Sequence, residues 1–85
     1  MTLTDYKSEL VQTVSCEITA LKRGNLECAN KSMSVRHGAQ IRIFIIECLL
    51  EQAEPDQTMI NYLYEQVKEM TRYLTTNNCI GAPCN

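Results

Sequence analysis

Eighty-five residues bound the chain at one domain, and a hydrophobic content of 45% is enough for a small core of its own. Ten acidic against eight basic side chains give a formal charge of −2, which excludes the strong basic excess of a general nucleic-acid binder. The longest apolar run, residues 43–46, is too short to span a bilayer, and the amino-terminal Met-Thr-Leu-Thr-Asp-Tyr-Lys has no charged-then-apolar signal pattern. On that reading the chain is soluble and cytoplasmic, and its five cysteines are reduced.

A first helix is predicted over residues 5–23. Leu3, Tyr6, Leu10, Val14, Ile18 and Leu21 recur at a mean spacing of about 3.6, the period of one helix face. Thr4 is the expected N-cap, and Asp5 suits the positive end of the helix dipole. Lys22 and Arg23 followed by Gly24 make a stop signal.

Residues 25–38 support two readings. Leu26, Ala29 and Met33 suit a short helix capped by Asn25, whereas Ser32, Ser34 and Gly38 suit a loop. Fourteen unstructured residues would be long for a compact domain, so at least one helical turn is expected.

A second helix is predicted over residues 39–53. Its isoleucines favour a strand locally, but helical geometry sorts its side chains better. Ile41, Phe44, Ile45, Cys48, Leu49 and Gln52 fall on one side, which is assigned to the core. Ile43, Ile46 and Leu50 form a second stripe opposite. After Glu54-Pro55-Asp56, a third helix is predicted over 55–75, with a seam of Ile60, Leu63, Val67, Met70 and Leu74. Residues 1–75 form the single domain, and 76–85, with Gly81 and Pro83, are expected to be a flexible tail.

The five cysteines contain no C-x-x-C pair and there is one histidine, so no metal site and no cofactor are expected. Cys48 reads as a small buried hydrophobe. Cys16 reads as a thiol on the first helix's outer face, bare or covered by a partner, and Cys79 and Cys84 are spaced to close a loop under oxidation. His37, between Arg36 and Gly38, is a loop histidine in water or a contact for phosphate or an acidic partner. A nucleophile–base pair with an orienting group is not visible, and the chain is not read as an enzyme.

The fold class is therefore all-α: an antiparallel bundle of three or four helices, completed by dimerisation. Two flanking helices can cover one stripe of the second helix but not both. The expected function is a protein–protein interaction module, an adaptor, inhibitor or chaperone-like regulator, that docks through Ile43, Ile46 and Leu50 with Tyr62 and Tyr73 at the rim. Its expected partner is a second copy first and a heterologous protein second, with no membrane contact. One alternative is a nucleic-acid-associated regulator using Lys22, Arg23, Lys31, Arg36 and Arg42, a segment in which five cations face Glu27 alone. Another is a thiol switch centred on Cys16 or the tail pair.

Overall fold

A computed structural model describes residues 1–76. The segment expected to be a tail lies, apart from Thr76, outside the described residues, and so does the loop expected between Cys79 and Cys84. The described residues form three helices and no strand: α1 (Leu3–Lys22), α2 (Leu26–Leu50) and α3 (Gln57–Thr76).

Helix α1 is capped two residues before the expected Thr4. Thr2 and Asp5 form a reciprocal capping box: the Asp5 amide donates to Thr2 Oγ1 at 3.2 Å, and the Thr2 amide donates to Asp5 Oδ2 at 2.9 Å. The Thr2 backbone amide first, and the Thr2 hydroxyl second, hold the Asp5 carboxyl below its ordinary value. At the other end Gly24 takes a left-handed φ of 77°, and the amides of Gly24 and Asn25 return to the carbonyls of Leu21 and Ala20. This is a Schellman stop, and it reverses the chain within two residues. Asn25 then caps α2 by accepting from the Cys28 amide.

Helix α2 runs unbroken for 25 residues, about 37 Å, so the segment 25–38 adds neither a loop nor a separate fourth helix. The small residues that suggested a loop serve packing. Ser32 is buried against α1, and Gly38 lies where a Cβ would stand 2.8 Å from Met70 Cε on α3. The helix ends at Leu50 with Glu51 as cap. Asp56 then opens α3, its carboxylate accepting from the Met59 amide and its carbonyl from that of Ile60.

The helices run up, down and up. Lys7 pairs with Glu47 and Glu17 with Arg36, so α1 and α2 are antiparallel. Arg42 Nε donates to Gln66 Oε1 at 3.1 Å, and Met70 meets Gly38, so α3 is antiparallel to α2 on its other flank. The two outer helices meet each other less extensively, and Tyr6 stacks edge-to-face on Tyr64 at 5.5 Å between them. The core is Tyr6, Leu10, Ala39, Ile43, Ile46, Ile60, Leu63, Val67 and Leu74. Helix α3 follows its expected seam, except that Thr71 goes fully inward while Met70 packs at the edge.

Gly38 sets how closely α3 approaches. Gly38→Ala gains about 1 kcal/mol of helix propensity and meets only the mobile methyl end of Met70 and the Arg42 guanidinium. Its net effect in urea denaturation is expected within about 1 kcal/mol of zero. Gly38→Val adds two branches at the same crossing and is expected to destabilise by about 1–3 kcal/mol.

Candidate functional site

The rotation of α2 is the inverse of the sequence expectation. Ile43 and Ile46, assigned to a partner, are 2% and 1% exposed and stand in the centre of the core. Ile41, Phe44, Ile45 and Cys48, assigned to the core, face outward; Phe44 is 66% exposed. Leu50 is exposed, but it lies at the end of α2 in line with the buried stripe. Leu49 alone of the expected core side packs at the core edge.

The cause is a polar cluster between α1 and α2. Glu17 is 3% exposed, and its Oε2 accepts from Ser32 Oγ at 2.6 Å while Arg36 Nε reaches both carboxylate oxygens at 3.0 Å. Thr13 Oγ1 lies 3.3 Å from Glu17 Oε2 and 2.7 Å from the Leu10 carbonyl, and Arg36 is steadied by Gln40. A carboxylate survives burial only when charge and hydrogen bonds replace its water, and Arg36 with Ser32 supplies both. With Glu17 turned inward, Ile18, about 100° around the helix from it, is left exposed. Thus the apolar face expected for α1 holds through Leu3, Tyr6 and Leu10 and then gives way to Thr13 and Glu17.

The outward residues of α2 form one continuous surface. Ile41, Phe44, Ile45 and Cys48 stand at i, i+3, i+4 and i+7, the spacing of a helix seam, with no charged residue in their sector. On the α1 side a groove of about 250 Å³ is lined by Lys7, Val11, Gln40, Ile43, Phe44 and Glu47. Val11 is itself largely exposed. On the α3 side, Tyr62 is exposed and its hydroxyl accepts from Gln66. Tyr73 does not join it: it is half-buried eleven positions further on, with the Lys31 ammonium 5.7 Å from its ring centre.

The five cations expected to form a basic patch are dispersed. Arg36 turns to α1 and Arg42 to α3, and Arg42 also donates to the Gly38 carbonyl one turn back on its own helix. Lys31 lies over Tyr73, and Lys22 and Arg23 sit at the turn between α1 and α2. His37 is exposed, but on α2 and not in a loop.

The cysteines also depart from expectation. Cys16 and Cys28 are both disulfide-bonded, where reduced thiols were expected. Cys16 is half-buried against the core, not on an outer face, and Cys28 is buried. Cys48 is a free thiol on the outer stripe. Among the described residues no group of three His, Cys, Asp or Glu side chains is placed to hold a metal ion.

Comparison with known protein families, with curated proteins and with solved structures finds no match for this chain.

Unequal costs are expected on the two sides of the ion pair. Arg36→Met strands a buried carboxylate and should destabilise by about 3–5 kcal/mol. Glu17→Gln keeps an oxygen for Ser32 and Arg36 and should cost about 1–2 kcal/mol; equal losses in denaturant titrations would contradict this account of the cluster. In thiol mapping without reductant, maleimide should label Cys48 in the folded chain. Cys16 and Cys28 should resist it even after unfolding, until a reductant is added.

Proposed function

We propose that this chain is a non-catalytic interaction module that docks other protein surfaces through the outer face of α2. The observation that carries the reading is the uninterrupted apolar stripe of Ile41, Phe44, Ile45 and Cys48, extended by Val11 from α1. Scattered single hydrophobes on a surface need no explanation, but a contiguous stripe beside a groove does. Leaving each such side chain in water forgoes roughly 1.5–3 kcal/mol at full burial, a large share of a stability of about 5–15 kcal/mol. Adaptor, inhibitor and chaperone-like regulator all fit this use of a helix face.

The nucleic-acid alternative has less support than its sequence offered, because Arg36 and Arg42 spend their guanidiniums on Glu17, Gln40, Gln66 and the Gly38 carbonyl. A thiol switch at Cys16 would start from its oxidised state, since that sulfur is disulfide-bonded. The same disulfides favour an oxidising compartment over the cytoplasm expected from the sequence. No helix among the described residues is long and apolar enough to cross a membrane.

A photo-crosslinking amino acid placed at Phe44 tests the reading in cells, with Lys68 on the exposed face of α3 as the control position. Protein adducts are expected from position 44 and not from position 68. Absence of adducts at position 44 would sink the docking face.

A further inference from the structure

We infer that the occupant of this face is a second copy of the same chain, paired α2 against α2 in antiparallel order about a two-fold axis between Phe44 and Ile45. The inference rests on the docking-face reading and names its partner.

The first argument is the symmetry of the stripe. Ile41, Phe44, Ile45 and Cys48 are spaced three, one and three, a pattern that reads the same in both directions. An antiparallel two-fold therefore sets each side chain level with a side chain of the other copy. Phe44 meets Ile45 of the second copy, and Ile41 meets the smaller Cys48 of the second copy. An isologous contact needs this kind of self-complementarity, because one patch must serve as both surfaces.

The second argument is charge. The α1 rim carries the Lys7–Glu47 ion pair; on the α3 side Arg42 donates to Gln66, which lines a second groove with Tyr62, Glu65 and Glu69. Both rims mix signs. A strongly acidic or basic partner finds no complementary field there, whereas an identical rim brings both signs to meet both signs. Two copies of a chain of formal charge −2 repel only weakly. The contact is essentially one helix face with Val11 and Tyr62 at its edges, small beside a standard interface, so the pairing is concentration-dependent.

Sedimentation of the intact, disulfide-bonded chain over a wide concentration range tests the pairing. The native chain should pass from monomer to dimer. Phe44→Glu should weaken the dimer by at least about a hundredfold, because the two-fold buries the site twice, with helix content by circular dichroism unchanged. Should that variant lose helix content, Ile41→Lys on the same exposed stripe replaces it. A native chain that is monomeric throughout overturns the pairing. If its crosslinker at position 44 still captures a different protein, the docking face itself stands; if it captures nothing, both readings fall. Order is read by mild oxidation: Ile41→Cys should yield a covalent dimer through Cys48 of the second copy. A native chain that links Cys48 to Cys48 would overturn the antiparallel arrangement.

Discussion

The buried carboxylate of Glu17 fixes the rotation of two helices at once. On α1 it selects the face that carries Tyr6, Leu10 and Thr13, and leaves Ile18 exposed to one side of it. On α2 its partners are Ser32 and Arg36, so the side of α2 containing those residues must face α1. Everything downstream on that side follows: Ala39, Ile43 and Ile46 lie in line with them and are driven into the core. The outer stripe is then a consequence, since a helix apolar on two sides cannot hide both against two neighbours. A buried ion pair is weak evidence for net stability, but it is a sharp constraint on register, because a misplaced partner leaves a charge alone in the interior.

Why the sequence pointed to the wrong side of α2 has a physical answer. Counting apolar residues in 39–53 alone makes the Ile41–Phe44–Ile45–Cys48 side the wider one, and burial of the wider side is the natural expectation. The true seam extends upstream: Ala29, Ser32, Arg36, Ala39, Ile43 and Ile46 alternate at spacings of three and four over five turns. Four of these six are small or polar, so hydrophobicity gives them little weight, and three of the four lie in 25–38, upstream of the apolar segment. The small residues were the available signal. Ala29, Ser32, Gly38 and Ala39 in one segment suit a helix that its neighbours approach closely, and Asn25 offers the cap for a start at Leu26. Helix α3 was legible because its apolar residues fall on one face and its charges on the other, where Arg72 and Glu69 pair. The stop at Gly24 and the break before Asp56 were legible for a similar reason, each resting on local chemistry that no tertiary contact overrides.

The excess of apolar surface on α2 was also legible, though its side was not. That excess depends only on composition and length. Its side depends on Glu17 finding Ser32 and Arg36 across fifteen and nineteen residues of chain, a long-range pairing that periodicity does not report. Tyr73 shows the same limit. Its place beside Lys31 follows from where α3 crosses α2, and spacing along α3 alone groups it with Tyr62.

The two ends of the α1–α2 pair are built differently, and this bears on where binding belongs. At the turn end the interface is Thr13, Glu17, Ala29 and Ser32, with little apolar volume to drive burial. Cys16 and Cys28 are disulfide-bonded beside this cluster, so covalent restraint is added where the hydrophobic effect is weakest. At the open end Tyr6, Leu10, Ile43 and Ile46 make an ordinary apolar core with Ile60 and Leu63, and no crosslink among the described residues holds it. The exposed stripe lies over that second half. A docking face carried on the well-packed half keeps its side chains on a rigid helix, which lowers the ordering cost of association. The turn end can then be committed to polar contacts and sulfur bonds without weakening the surface that meets a partner.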